Sequence, residues 1–115
     1  MQTSLVTLPI LPGKTEDLKQ FVKEATELRK EEYEASRQRQ GITREYVYLQ
    51  STPRGDVLVI YREAEDLWQM HQVSITSKDP FDLWFQQQLF ACHGAYLTEP
   101  GALMSEAILE WNASE

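Results

Sequence analysis

Two neighbouring segments in the middle of the chain are apolar on both of their alternating faces. Residues 42–50 and 56–62 are rich in β-branched and aromatic side chains, and they flank the turn-forming run 51–55. This pattern predicts a β-hairpin. A sheet with one face in water would show polar residues at every second position. We therefore expect both faces of this sheet to be covered, and a second copy of the chain is the simplest cover for the face without helices.

The alternation divides the hairpin residues between two faces, because successive side chains of a strand point to opposite sides. On the first segment Glu45, Val47 and Leu49 face one way and Tyr46 and Tyr48 the other, and on the second Val57, Val59 and Tyr61 oppose Leu58 and Ile60.

A long helix is predicted before the hairpin. Thr15 is a plausible N-cap, and Gly41 is the first glycine or proline after it that could end the helix. Between them, apolar residues recur at spacings of three and four, which is typical of one buried helical face. These residues are Leu18, Phe21, Val22, Ala25 and Leu28.

The remaining elements complete a familiar order. Residues 5–10 predict a first strand, and 104–112 predict a last one. A second helical region starts at residue 63, breaks at 74–78 and restarts at Asp79-Pro80. The order is that of a ferredoxin-like β-α-β-β-α-β fold of the α+β class. We expect one domain over residues 1–115, with a four-stranded antiparallel sheet, both helices on one face and dimerisation through the sheets.

The charge of the chain is distributed unevenly. Of a net charge of −7, residues 1–64 contribute nothing, since they hold ten basic and ten acidic side chains, while residues 65–115 hold Lys78 against eight acids. An acidic surface repels phosphate groups, so we expect no binding to nucleic acid or to anionic membranes. The single cysteine, Cys92, excludes an intrachain disulfide. With no apolar run long enough to span a bilayer, a cytoplasmic location is expected.

Four short stretches carry a resemblance to a known group of proteins. They are LRKEE at 28–32, GITRE at 41–45, YREAED at 61–66 and SKDPFD at 77–82. With the element order, they make the chain similar to the dimeric α/β-barrel superfamily, and most of all to its small uncharacterised bacterial members. The likeness extends over roughly residues 4–111. It implies a homodimer with a pocket, and it leaves the reaction class open, because that superfamily includes cofactor-free oxygenases, isomerases and ligand binders.

Polar residues on the predicted inward faces are candidates to line a cleft between helices and sheet. The apolar helical stripe continues to Arg29 and Glu32, which can pair with each other and could hold a carboxylate. Glu45 would enter the cleft if its strand face meets the helices, and there it could pair with Arg29. Apolar surroundings would raise its pKa, as in a tuned general base. The alternative is an ordinary ion pair and an exposed glutamate.

His71 is the candidate for proton transfer, because it is the histidine that lies within a predicted element. Trp68, three residues earlier on the same helix, would help to line a ligand site. The alternative is a histidine that is simply part of the core. His93 is better explained by interaction with a helix C-terminus. We predict no metal site and no cofactor, since no phosphate loop, nucleophile elbow or HExxH motif occurs.

Three functional hypotheses remain open at this point. The first is a dimeric protein that binds a small organic ligand. The second is a cofactor-independent oxygenase or isomerase acting on a small aromatic or carbonyl compound, in which His71 or Glu45 moves a proton and Arg29 holds an anionic oxygen. The third is an interaction module whose acidic second half meets a basic partner.

Overall fold

The computed structural model of the protein describes residues 1–94 and 105–113, which form an α+β fold. The order of elements follows the predicted one as far as the second helical region. The elements are β1 (Gln2–Pro9), α1 (Thr15–Lys23), a π-helical segment (Glu24–Leu28), α2 (Lys30–Gln40), β2 (Ile42–Thr52), β3 (Gly55–Ala64), α3 (Leu67–Thr76) and α4 (Pro80–His93).

The strands of the described residues form an open antiparallel sheet in the order β1-β3-β2. Ile60 of the central strand lies between Val6 of β1 and Val47 of β2 in the pairing register. The same register places Glu45 beside Arg62 and Tyr46 beside Tyr61. The predicted hairpin is therefore confirmed, and so is the predicted division of its residues between two faces.

The helix predicted between residue 15 and Gly41 is interrupted. At the end of the π-helical segment, the backbone N–H of Arg29 donates to the carbonyl of Glu24, five residues earlier, at 2.9 Å. Gly41 ends α2 with φ of 73°, a left-handed conformation that glycine adopts without steric cost. Thr15 does not cap α1, since Lys14 holds that position; the Thr15 hydroxyl instead donates to Asp56 at 2.6 Å.

The π-helical segment changes which residues face the sheet. One additional residue in a turn rotates everything after it by about 100° about the helix axis. Leu28, predicted on the buried face, is in fact 78% exposed. That prediction was wrong because it assumed an uninterrupted α-helical period.

The second helical region is divided and restarts at Asp79-Pro80 as predicted, but it begins at Leu67 rather than residue 63, because β3 continues to Ala64, and the break is shorter than the predicted 74–78. Asp66 caps α3 by accepting a hydrogen bond from the N–H of Gln69, and α3 continues to Thr76. After a short break, Asp79 caps α4 in the same way and Pro80 occupies its first turn. Pro80 is harmless there, because a first-turn N–H has no partner within its helix.

The apolar core lies between the sheet, α1 and α4. Phe21 is at its centre, with edge-on ring contacts to Trp84 at 5.3 Å and to Phe85 at 5.0 Å between centroids. Phe81 is fully buried nearby. A smaller apolar cluster is formed by Ala64, Leu67 and Met70, beneath α3.

The helices pack on one face of the sheet, and the other face is apolar and partly exposed. Tyr46 and Tyr61 stack there with ring centroids 6.0 Å apart. Leu5, Tyr46 and Tyr48 on this outer face are among the exposed large hydrophobic residues. We call this surface the outer sheet face; its apolar residues are Leu5, Tyr46, Tyr48, Val57, Val59 and Tyr61, and Thr3, Thr7, Arg44, Gln50 and Glu63 lie on the same side of the sheet.

The predicted last strand, 104–112, is not found where the structure describes it. Met104 lies outside the described residues, and residues 105–113 have no strand structure. Ser105 does reach the free edge of β1, where its hydroxyl accepts from the N–H of Leu5 at 2.8 Å and donates to the Leu5 carbonyl at 3.2 Å. This side chain occupies the hydrogen-bonding groups that a backbone ladder would use at Leu5. Among the described helices, none has the length and apolar content required to cross a membrane.

Candidate functional site

The inner face of α2 is polar, unlike that of α1. Tyr33, Arg37 and Gln40 follow one another at spacings of four and three, so they lie on one side of the helix. Arg37 and Gln40 are buried, as is Ser36 beside them. The π-helical segment brings this side, rather than the side of Leu28 and Glu32, toward the sheet. A group of polar side chains is therefore enclosed where an apolar core would be expected.

Glu45 lies at the centre of this group, with its side chain only 5% exposed. Its carboxylate accepts hydrogen bonds from Nη1 of Arg37 at 3.0 and 3.2 Å and from Nε of Arg62 at 2.5 Å. The hydroxyl of Tyr33 donates to the same carboxylate. We call these four residues the ionic cluster: Tyr33, Arg37, Glu45 and Arg62.

The ionic cluster sets the protonation of its members. Burial would raise the pKa of Glu45, but the charges of Arg62 and Arg37, with hydrogen bonds from Tyr33 and Arg62, outweigh it and lower this pKa to about 2. The expected rise in the Glu45 pKa is thus reversed. Burial first, and then the charge of Glu45, raise the pKa of Tyr33, so its hydroxyl stays protonated and can donate.

Two guanidinium groups in the ionic cluster share one carboxylate, which leaves a surplus of positive charge. Burial lowers the pKa of Arg37 while Glu45 raises it, and a guanidinium titrates so high that it remains charged at neutral pH. Nε of Arg37 has no hydrogen-bond partner among the described residues. Arg62, whose side chain is 11% exposed, bonds to Glu45 through Nε alone; its two terminal nitrogens donate to no other described residue.

A second set of hydrogen bonds ties the ionic cluster to the break between α3 and α4. Ser36 accepts from Nη2 of Arg37 at 3.0 Å and donates to the buried carboxylate of Asp82. Ser77, in the break, donates to the other oxygen of Asp82, and Arg39 donates to Asp82 at 3.0 Å. Burial would raise the pKa of Asp82, but these hydrogen bonds together lower it. Asp82, in the first turn of α4, is therefore joined to α2 by two hydrogen bonds and to the break by a third.

Arg29 and Glu32 pair with each other, as predicted, but outside the ionic cluster. Two nitrogens of Arg29 donate to the two oxygens of Glu32, at 3.0 and 2.7 Å. The guanidinium of Arg29 also lies over the ring of Trp84, 4.4 Å from its centroid. Glu32 is exposed, and the expected partnership of Arg29 with Glu45 is not formed, because Arg37 and Arg62 occupy that position.

Trp68 and His71 lie together on α3. Their rings are 6.0 Å apart; Trp68 is exposed and His71 is buried. α3 packs against α2, β1 and β3, on the same side of the sheet as the ionic cluster. Among the described residues, no hydrogen bond joins His71 to a member of that cluster. The structure thus brings these two candidates together, and no hydrogen bond or ring contact among the described residues joins them to Arg29 or Glu32.

A shallow groove of about 230 Å³ lies elsewhere, between α1 and α4, and shares no residue with the ionic cluster. Burial raises the pKa of the Cys92 thiol at its base, which makes that thiol a poor nucleophile. Within residues 1–94 and 105–113, no three His, Cys, Asp or Glu side chains are grouped so that they could hold a metal ion. The residues lining the groove are Lys14, Asp17, Gln20, Phe21, Glu24, Gln88, Ala91 and Cys92.

Sequence reasoning found Glu45 and missed its three partners. Tyr33 and Arg37 were missed because a buried helical face is recognised in a sequence by its apolar residues, and these two residues are polar. The signal that could have found Arg62 is its place in the strand pattern, since it shares the inward face of Leu58 and Ile60. An arginine at that position must bury its charge beside an acid, and Glu45 is its cross-strand neighbour.

Comparison with known proteins assigns the chain to a family whose function is not known. The chain belongs to a family of unknown function, DUF6176, whose sequence model matches residues 1–107. The matched span contains the whole ionic cluster. No curated protein and no solved structure matches the chain.

Proposed function

We propose that the protein binds a small organic anion, such as a carboxylate, between the helices and the sheet, with Arg62 as the principal contact. The observation that carries this proposal is the surplus of guanidinium groups in the ionic cluster. Tyr33 is neutral, Glu45 is ionised and both arginines are charged, so the cluster has one positive charge in excess. An uncompensated charge on a largely buried side chain is costly, and an anionic ligand would compensate it.

The geometry of Arg62 favours a carboxylate over a neutral ligand. Its Nε is fixed by Glu45, which holds the guanidinium plane in place, while its terminal nitrogens have no described partner. A planar fork of N–H groups is matched to the two oxygens of a carboxylate. Glu45 therefore serves as the residue that orients Arg62. In this role it must stay ionised, in keeping with its pKa of about 2.

An enzyme with Glu45 as its general base is less well supported. A carboxylate with a pKa of about 2 holds a proton too weakly to abstract one efficiently at neutral pH. Three hydrogen-bond donors also already occupy its oxygens. The oxygenase or isomerase hypothesis therefore depends on His71, rather than Glu45, as the residue that transfers the proton.

We further infer that the protein is a homodimer in which the outer sheet face is covered by a second copy, as in the dimeric α/β-barrel superfamily it resembles. Tyr48 and Leu5 would otherwise keep large apolar surfaces in water. A two-fold dimer uses the same patch on both chains, so one apolar face is sufficient. Sedimentation velocity from nanomolar to micromolar protein tests this, and a monomer at all concentrations would contradict it.

Thermal unfolding with added benzoate tests the anion proposal. At 100 times its dissociation constant, a ligand stabilises the folded protein by about 2.7 kcal/mol, which raises the unfolding temperature by several degrees. We expect benzoate to give this shift and benzyl alcohol, its neutral analogue, to give none. Native mass spectrometry of the untreated protein would reveal an anion that is already bound.

Two arginine variants assign the binding to the ionic cluster. Arg62→Lys keeps the charge but loses the fork, and we expect it to weaken benzoate binding at least tenfold. Arg29→Lys makes the same exchange outside the cluster and should bind benzoate as the wild type does. Equal loss in both variants, or no shift in the wild type, would refute the assignment of Arg62 as the principal contact.

A further inference from the structure

The described residues after α4 leave large apolar side chains in water. We call residues 105–113 the arm. Ile108 is 92% exposed, Leu109 is 81% exposed and Trp111 is 79% exposed. Three such side chains lie within four positions of the sequence, and large exposed apolar groups concentrated in this way mark a site of association. A buried tryptophan is also the residue that most often dominates an interface.

The arm starts at the rim of the outer sheet face. Ser105 is held at the free edge of β1 by its two hydrogen bonds with the backbone of Leu5. The side chain of Leu5 itself belongs to the outer sheet face and is exposed. Ile108, Leu109 and Trp111 therefore follow Ser105 by three to six residues. Their high exposure means that they do not pack on the outer sheet face of their own chain.

The arm and the outer sheet face fit each other in composition. The face is formed mainly by tyrosine, valine and leucine, which suits Ile108, Leu109 and Trp111. The arm carries Glu106 and Glu110 and no basic residue. Arg44 lies near the start of β2, where it pairs with Glu63 at 3.8 Å, and Arg54 lies in the turn that follows this strand, which carries both exposed tyrosines of the face. Opposite charges at the margins of an apolar contact favour one orientation over others.

Symmetry decides in favour of a second copy as the occupant. Among residues 1–94 and 105–113, nothing receives the apolar side chains of the arm and nothing covers the outer sheet face. In a two-fold dimer both are satisfied at once, because the arm of each chain meets the face of the other. We propose that the arm docks on the rim of the outer sheet face of a second copy, beside the contact between the two sheets, an inference that rests on the homodimer inferred above.

Mixing two complementary variants tests the exchange. The arm variant carries Ile108→Ser, Leu109→Ser and Trp111→Ser, and the face variant carries Tyr48→Glu. Sedimentation velocity should show each variant alone associating at least tenfold more weakly than the wild type. An equimolar mixture should recover much of the association, because the intact arm of one variant meets the intact face of the other. Leu83→Ser, an exposed change on α4, is the matched control and should dimerise normally.

The outcomes separate this inference from the dimer on which it rests. An arm variant that dimerises like the wild type would overturn the exchange and leave the dimer standing. A mixture that recovers nothing would also overturn it, since an intact arm and an intact face on different chains would then not associate. A wild-type protein that stays monomeric at all concentrations would overturn both.

Tryptophan fluorescence supplies a second measurement that does not depend on disrupting the dimer. Trp68→Phe with Trp84→Phe leaves Trp111 as the only tryptophan of the chain. We expect acrylamide quenching of Trp111 to fall several-fold, and its emission to shift to shorter wavelength, as the protein passes from monomer to dimer. Unchanged quenching across that transition would overturn the proposal.

Discussion

The layer between the helices and the sheet has two halves with opposite chemistry. Beneath α1 and α4 it is apolar, with Phe21 and Phe81 at its centre. Beneath α2 it is the ionic cluster around Glu45. Both halves rest on the same sheet face, and α1 and α2 belong to one helical region. The two halves differ because a different set of helix residues faces the sheet after the π-helical segment.

The two halves stabilise the fold by different physical means. An apolar core contributes in proportion to the surface it removes from water, and it is insensitive to pH. A buried ion pair contributes little net stability compared with an apolar replacement, but it is severely destabilised when one partner is lost. The apolar half therefore holds the fold together, while the ionic half demands a specific set of side chains. This requirement for particular side chains favours a functional role for the ionic cluster over a purely structural one.

Removing the central carboxylate should give the largest effect in this comparison. Glu45→Ala leaves Arg37 and Arg62 buried without a counter-charge, which costs about 3–5 kcal/mol in the free energy of unfolding. Urea denaturation measures it, with Val47→Ala on the same strand face as the control, since Val47 is partly exposed. A loss below about 1 kcal/mol would mean that the two halves do not differ in this way.

Acid should distinguish the halves next. The folded-state pKa of Glu45 is depressed from its ordinary 4.5 to about 2, so its contribution is complete above pH 4.5 and disappears as the pH falls toward 2. A shift of that size corresponds to about 3 kcal/mol of unfolding free energy. Urea denaturation between pH 5 and 2 should show a shallower slope for Glu45→Gln than for the wild type. A Phe21→Leu variant, changed in the apolar half, should retain the wild-type slope.

Loss of one hydrogen bond to the cluster should have a smaller effect. Tyr33→Phe keeps the ring beneath the guanidinium of Arg37, 5.1 Å from its centroid, and removes the hydroxyl that donates to Glu45. A hydrogen bond to a charged group contributes about 1.5–3 kcal/mol. Tyr48→Phe, on the outer sheet face, is the matched control and should unfold at the wild-type urea concentration. If the two variants behave alike, the Tyr33 hydroxyl does not stabilise Glu45.

The smallest effect should come from Glu32, which has the same charge as Glu45 but lies in water. Its ion pair with Arg29 is exposed, and such pairs are screened by solvent and salt. We expect Glu32→Ala to leave the midpoint of urea unfolding unchanged within measurement error. A clear destabilisation would show that the contacts of Arg29 with Trp84 depend on this pair.

Much of the fold follows from the sequence, because its signals are local. The two-sided apolar hairpin, the Asp79-Pro80 start of α4 and the Gly41 end of α2 are confirmed. Each depends on residues within one or two turns of one another. The last predicted strand fails for the opposite reason: a strand requires a partner ladder, and Ser105 satisfies the edge of β1 with its side chain.

The candidate site was predictable only in part. Glu45 was placed on the correct face by strand alternation, but its partners depend on the phase of α2. An α-helical period carried through residues 24–28 favours Arg29 and Glu32 as the inward pair, and the π-helical segment favours Tyr33 and Arg37 instead. Nothing in the local residue pattern marks the additional residue of that segment. The sign of the Glu45 pKa shift was missed for the same reason, since it follows from which arginines are near.

The π-helical segment also constrains how a chain of this kind can change through insertions and deletions. Removing a single residue from Glu24–Leu28 would restore the α-helical period and turn α2 by about 100°, moving Arg37 away from Glu45. We therefore expect the length of this stretch and the arginine at position 37 to be kept or lost together. Related chains that keep an arginine opposite the glutamate should also keep the additional residue of the π-helical segment. Related chains that lack the arginine should lack that residue as well.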